Sequence, residues 1–245
     1  MSSHTSPSPH WLILVYPNVS WEDSAYTHHL GSKVFPPDLF AAHLEAILKI
    51  GPLVSLAEGL ERLNERRGGK RYFSLVFEGA FRGIGDHAHK ILQERGLKAA
   101  LALHPSVLLQ GQLPWICKLS WLRSIDGMRF LRSAIRKRQP FPASTTMAEF
   151  LRHSLDEDFL RDLDEVYERF SRPIDRSDSH RLFMDPSGVS TLLEQGWELA
   201  ALDYGGSEPP TRLLARLYES ARDLSDALKA EVPYLTTPLG LTGPL

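Results

Sequence analysis

The feature that most constrains the fold is a strand–helix–strand pattern near the middle of the chain. Residues 72–77 predict a strand that is apolar except for Ser74, residues 86–95 predict a helix, and residues 98–103 predict a second strand that is apolar after Lys98. Largely apolar strands are typical of parallel sheets, and two parallel strands need a crossover connection, usually a helix. The pattern therefore predicts an α/β fold with a parallel sheet covered by helices.

The same alternation extends over most of the chain. Four further strands are predicted, at 12–16, 53–56, 197–202 and 232–236. Helices with recognisable start or stop residues are predicted between the strands, over 36–50, 57–67, 185–195 and 211–230. Strands joined in this way predict an incomplete parallel (β/α) barrel with its helices on the outside.

One long segment departs from this pattern. Residues 114–172 contain no strand signal, and helices are predicted at 119–136, 147–155 and 157–170. We therefore expect a single α/β domain over residues 1–245, with a helical insertion at about 114–172.

The totals exclude several classes of protein. A formal net charge of -2 over 245 residues gives no overall attraction to nucleic acid or to an acidic membrane surface. The single cysteine, Cys117, excludes an internal disulfide and a cysteine-rich zinc site. The apolar run at 11–16 is too short for a signal core or a membrane span, and residues 1–10 lack a basic region. These observations predict a soluble, cytoplasmic protein that binds neither nucleic acid nor membrane.

Five short segments are similar, in the same order, to motifs of the NodB-homology polysaccharide deacetylases. They are LVSLAEGL at 53–60, VFEGAF at 76–81, ILQERGLKAALA at 91–102, QGWELAALDYGGS at 195–207 and LTTPLG at 235–240. The resemblance extends from about residue 12 to about residue 240. It implies the irregular (β/α) barrel of that family, here in an incomplete form.

The resemblance also implies where the family's metal-dependent chemistry would lie. In the family, the motif that corresponds to VFEGAF at 76–81 supplies an Asp base and an Asp metal ligand. The motif that corresponds to QGWELAALDYGGS at 195–207 supplies two His ligands. Glu78 stands here in the place of the base, whereas Gly79, Leu202 and Gly206 stand in the places of the three ligands. None of these three side chains can bind a cation. The resemblance therefore predicts a protein without metal or other cofactor.

Glu78 keeps a carboxylate at the predicted carboxyl end of a strand, where barrel enzymes place their chemistry. It is a candidate general base or ligand acceptor, or else a vestigial group that pairs with Arg82 or caps the next helix. Further candidate ligand-binding residues lie at or near other predicted strand ends: Tyr16, Asn18, Arg82, Trp197 and Asp203. They could form a pocket for a sugar-like or acyl small molecule, or be ordinary residues of a barrel rim.

Three functions fit this sequence. The first is a deacetylase-like binding or scaffolding protein without hydrolytic activity, in a glycan or secondary-metabolite pathway. The second is a metal-independent enzyme on the same fold that uses Glu78 as its base. The third is a weak carbohydrate or amide deacetylase. An incomplete barrel also leaves an open sheet edge, which predicts a homodimer or a protein partner that covers it.

Overall fold

The computed structural model describes residues 10–21, 24–27, 34–64, 71–138, 156–172, 181–203 and 210–236. Five parallel strands form one sheet, and their order in the sheet is their order in the chain. They are β1 (His10–Tyr16), β2 (Arg71–Glu78), β3 (Ala100–Leu103), β4 (Glu198–Leu202) and β5 (Tyr234–Thr236). The sheet curls into a half-barrel, which confirms the predicted incomplete parallel (β/α) barrel.

Helices occupy the connections between these strands. They are α1 (Pro37–Ile50), α2 (Leu56–Asn64), α3 (His89–Gln93), α4 (Pro105–Gln110), α5 (Trp115–Ser124), α6 (Met128–Arg138), α7 (Glu157–Phe170), α8 (Pro186–Glu194) and α9 (Pro210–Leu228). A π-helical turn, Ile84–Ala88, leads directly into α3. Within the described residues, no helix combines the length and the apolar character that a membrane crossing requires.

The sheet buries side chains on both of its faces. The larger apolar cluster joins one face to helices that include α1, α3, α8 and α9, through residues such as Phe77 and Leu101. The smaller cluster lies on the other face and contains Val76 and Leu202 together with Leu56 of α2. Successive side chains of a strand point to opposite faces, so a strand buried on both sides has no polar alternation. This accounts for the largely apolar sequence of β2, in which Ser74 is also buried.

The predicted strand at 53–56 is wrong apart from one residue. Leu53 makes a single parallel bridge with Phe73, and the chain enters α2 at Leu56. Two acceptors hold the start of this helix. The Ser55 hydroxyl accepts from the backbone N–H of Glu58 at 3.0 Å, and the carboxylate of Glu198 accepts from the N–H of Leu56 at 2.6 Å and of Ala57 at 3.1 Å. A carboxylate at this position satisfies N–H groups that have no acceptor within the helix.

The predicted helix at 119–136 is also wrong, because the structure contains two helices there. Asp126 has a φ of 55°, in the left-handed region, and ends α5 together with Gly127. The N–H of Gly127 donates to the carbonyl of Leu122 at 2.6 Å, and a Cβ on Gly127 would lie 3.0 Å from that same oxygen. The close approach favours glycine at the turn into α6. The helix predicted at 147–155 lies outside the described residues.

Glu198 gives a direct test of how α2 is held. Glu198→Ala removes the acceptor of two helix N–H groups, and we expect it to lower the free energy of unfolding by about 1–3 kcal/mol. Glu198→Gln keeps one side-chain oxygen and should cost less. Urea denaturation measures both, with the exposed Glu219→Ala on α9 as a control expected to change stability by less than about 0.5 kcal/mol. Equal stability of Glu198→Ala and the unmodified protein would contradict the cap.

Candidate functional site

The carboxyl ends of the parallel strands lie together along one edge of the sheet. In open α/β sheets, ligands bind outside this edge. The polar residues that end or directly follow β1, β2, β3 and β4 are Tyr16, Glu78, His104 and Asp203. This edge is therefore where a site is expected.

Glu78 ends β2 and is half-buried, in register with Ala102 of β3. It lies two residues after Val76, on the face of the sheet that carries the smaller apolar cluster. The next residue, Gly79, is buried and has a φ of +92°, and its N–H donates to the carbonyl of Ala102 at 2.8 Å. A positive φ favours glycine, so a side chain at this position would strain the backbone.

Two of the predicted ligand-binding residues lie in the apolar core. The Tyr16 ring packs 5.1 Å from Phe40 and 5.8 Å from Phe77, and burial raises the pKa of its phenol. The Trp197 ring lies 5.6 Å from Phe77 on the other side. Both belong to the larger cluster, on the face opposite to that of Glu78. The structure therefore does not bring them together with Glu78.

Two others do come together, in a cavity of about 590 Å³ beyond the carboxyl ends of β1 and β2. We call it the Arg82 cavity. Its walls come from three chain segments: the residues after β1, the residues after β2, and a short stretch before α8. The lining residues are Asn18, Ser20, Trp21, Ser24, Tyr26, Thr27, Arg82, Gly83, Asp86, His87, Arg181 and Leu182.

Asp203 does not line this cavity and forms a partly buried ion pair instead. Its Oδ2 lies 2.9 Å from Nε of Arg216 on α9, and Nη2 of Arg216 donates to its Oδ1 at 3.2 Å. Its backbone N–H donates to the carbonyl of Thr236, which fixes the end of β4 beside β5. The electrostatic field of this pair acts on His104 at the end of β3.

No family model matches the sequence, and no curated protein matches it either. Solved structures do match its fold. Deacetylase PplD from Streptococcus pyogenes, in complex with acetate, superposes with a TM-score of 0.53 at 11% identity, over 94% of this chain and 74% of PplD. IcaB from Ammonifex degensii gives 0.54 at 12% identity, over 97% and 77% of the two chains. A de-N-acetylase from Aggregatibacter actinomycetemcomitans gives 0.51 at 13% identity, over 94% and 79%. This chain has the NodB-type polysaccharide deacetylase fold.

Two of the three positions that the sequence resemblance matches to metal ligands of the family lie within the described residues. Gly79 offers no side chain, and the side chain of Leu202 is fully buried in the smaller cluster. The third position, Gly206, lies outside the described residues. In the part of the chain that the structure describes, no group of three or more His, Cys, Asp or Glu side chains is placed to hold a metal ion.

His104 is the residue at this edge that the sequence analysis missed. It directly follows a buried strand and precedes Pro105, and that position was the available signal. Its Nδ1 accepts a hydrogen bond from the backbone N–H of Ser106 at 3.2 Å, so the ring caps α4. An accepting Nδ1 carries no proton, and a neutral ring therefore holds its proton on Nε2.

The surroundings of His104 also oppose its protonation. Burial lowers the pKa of His104, the charge of Asp203 raises it, and the charge of Arg216 lowers it again, with a net downward shift. The folded protein therefore takes up this proton less readily than the unfolded chain, in which a histidine has a pKa of about 6.5. The lowered pKa of His104 therefore contributes stability to the fold that is fully present above about pH 6.5. This contribution is lost as the pH falls from there toward the folded pKa.

We expect His104→Asn to reduce the acid sensitivity of the fold. Asparagine keeps a side-chain oxygen that can cap α4 but does not titrate. The melting temperature of the unmodified protein should fall more between about pH 7.5 and about pH 5.5 than that of the variant, because only the former has at position 104 an imidazole that the unfolded chain protonates more readily than the folded protein. Thermal denaturation monitored by circular dichroism at the two pH values measures the difference. Identical falls would remove His104 as a source of pH dependence.

Proposed function

We propose that this chain is a polysaccharide-deacetylase-like protein that binds a small sugar-like or acyl ligand without metal-dependent hydrolysis. The observation that carries this proposal is the pair of strand ends at β2 and β4. A buried glycine with a positive φ follows Glu78, and a fully buried leucine ends β4. Hydrolysis by a metal-activated water needs imidazole or carboxylate ligands, and Gly79 and Leu202 supply neither.

The Arg82 cavity supports the ligand-binding part of the proposal. Its volume of about 590 Å³ falls within the range of about 300–1,000 Å³ that is usual for small-molecule sites. It lies beyond strand carboxyl ends, where α/β folds bind ligands. We place this binding function in a glycan or secondary-metabolite pathway in the cytoplasm, a location that cell fractionation can check.

A metal-independent enzyme is the second candidate. Glu78, His104 and Asp203 end or directly follow three adjacent strands, and the ring of His104 is held with an unprotonated Nδ1. A carboxylate and a neutral imidazole at neighbouring strand ends are groups that general acid–base chemistry uses. In this alternative, Glu78 is the base.

One set of measurements separates these functions. We expect purified protein to hold far less than one metal ion per chain by mass spectrometry, to keep its melting temperature in chelator, and to release no acetate from N-acetylated amino sugars. One equivalent of bound metal with acetate release would instead establish a deacetylase and overturn the proposal. Metal-free turnover that is lost in Glu78→Gln, but kept in the exposed control Glu219→Gln, would establish the second candidate.

We also propose that a second copy of the chain, or another protein, covers β1. This strand lies at one end of the sheet, and within the described residues it pairs with β2 alone. Leu12 and Ile13 are 42% and 45% exposed, on opposite faces of the strand. An apolar edge strand of seven residues is a template for pairing.

Analytical sedimentation tests this proposal directly. We expect a dimer that Ile13→Lys converts to a monomer, because a lysine on an edge strand opposes pairing. Lys49→Ala, which changes an exposed residue of α1, is the control. A monomer at every concentration would overturn self-association, and a failure to recover any copurifying protein would then overturn the partner as well.

A further inference from the structure

The Arg82 cavity has walls that the fold fixes before any ligand arrives. The backbone N–H of Arg82 donates to the carbonyl of Leu182 at 2.7 Å, and the Phe81 and Phe183 rings lie 4.9 Å apart beneath this bond. Gly83 approaches the opposite wall so closely that a Cβ would lie 2.3 Å from the carbonyl oxygen of Val19. Glycine is therefore required where the two walls meet.

The wall after β1 is also held by hydrogen bonds. The side-chain oxygen of Asn18 accepts from the N–H of Val19 at 2.9 Å. The N–H of Ser20 donates to the carbonyl of Phe35 at 3.0 Å, and the N–H of Phe35 donates to the carbonyl of Asn18. A cavity whose walls are ordered in advance loses less free energy to ordering when a ligand binds.

The wall after β2 continues from Arg82 and Gly83 into the π-helical turn Ile84–Ala88. Its residues Asp86 and His87 line the cavity. A π-helical turn is a rare departure from regular helix geometry and occurs frequently at functional sites. Here it places a carboxylate and an imidazole on the same side of the cavity as Arg82.

The chemistry of the lining points to one class of ligand. Arg82 and Arg181 line the cavity from different chain segments, and a guanidinium matches the geometry of a carboxylate or a phosphate. The hydroxyls of Ser20, Ser24 and Thr27 are suited to a polyhydroxylated ring. Trp21 is 63% exposed at the cavity, an unusual position for a large aromatic side chain, and offers a flat surface against which a ring can pack.

We propose that the Arg82 cavity binds an anionic saccharide, a sugar that carries a carboxylate or a phosphate group. In this arrangement, Arg82 binds the anionic group, Asp86 and the hydroxyl side chains bind sugar hydroxyls, and Trp21 packs on the ring. A neutral N-acetylated sugar has no anionic group that could pair with the two arginines. The inference depends on the proposed ligand-binding function and specifies the ligand class of the cavity.

Calorimetric titration of the full chain tests this assignment. The ligands are glucuronate and glucose 6-phosphate as anionic sugars, glucose and N-acetylglucosamine as neutral sugars, and inorganic phosphate and acetate as ions without a sugar. We expect at least one anionic sugar to bind more tightly than both neutral sugars and both simple ions. A preference between glucuronate and glucose 6-phosphate identifies the anionic group.

Three variants assign the contacts. Arg82→Gln should weaken binding of the preferred anionic sugar by about tenfold to a hundredfold, the usual effect of losing a hydrogen bond to a charged group, and Arg82→Lys should weaken it less. Arg222→Gln, an exposed change on α9, is the matched control and should leave binding unchanged. Trp21→Ala should weaken binding of the anionic sugar but not of inorganic phosphate.

The outcomes separate this inference from the function on which it depends. Tighter binding of N-acetylglucosamine than of the anionic sugars, or no effect of Arg82→Gln, would overturn the anionic assignment and leave a sugar-binding protein. Inorganic phosphate binding as tightly as glucose 6-phosphate would reduce the cavity to an ion site and would also overturn it. If none of the sugars binds, both the assignment and the ligand-binding part of the proposed function fail, whereas the metal analysis still decides the hydrolytic part.

Discussion

The fold depends on an aromatic cluster centred on Phe77. Its ring is fully buried and lies 5.8 Å from Tyr16 of β1, 5.8 Å from Phe40 of α1 and 5.6 Å from Trp197 at the start of β4. Aromatic rings bury more apolar surface than other side chains and gain further from tilted and edge-on contacts. One side chain in β2 therefore joins two other strands and a helix, and it fixes the face of the sheet on which the larger core is built.

This cluster also determines which side chains at the strand ends are available to a ligand site. Because Phe77 points into the larger core, its neighbour Glu78 must point to the opposite face, toward the smaller cluster that includes Leu202. Tyr16 and Trp197 are used in the core and are not at the site. The polar groups of β1 and β2 reach a cavity only after the strands have ended, through Asn18 and Arg82.

The likeness to solved deacetylases concerns architecture, at identities of 11–13%. A shared fold does not carry a shared reaction, since function depends on side chains placed on the fold. At the two described positions that the sequence resemblance matches to metal ligands, the structure has a backbone turn at Gly79 and a core leucine at Leu202. Charged groups lie elsewhere along the same edge, in the Arg82 cavity and in the Asp203–Arg216 pair. The proposed binding function rests on where these polar groups lie along the edge of the sheet.

The sequence by itself predicted the parallel sheet, because largely apolar strands separated by amphipathic helices leave few other arrangements. The NodB-type fold was implied by the resemblance of five short motifs to that family. The sequence also determined that Asp185 begins a helix, since its side chain accepts from the N–H of Gly188 within the same turn. Only the tertiary structure added Glu198 to the local Ser55 cap of α2, because Glu198 lies 142 residues from Leu56 in the chain. The grouping of Asn18 with Arg82 and Arg181, and the separation of Glu78 from Tyr16, were decided in the same way. Such contacts depend on which face of a strand points inward and on where distant loops meet, and no local pattern records either.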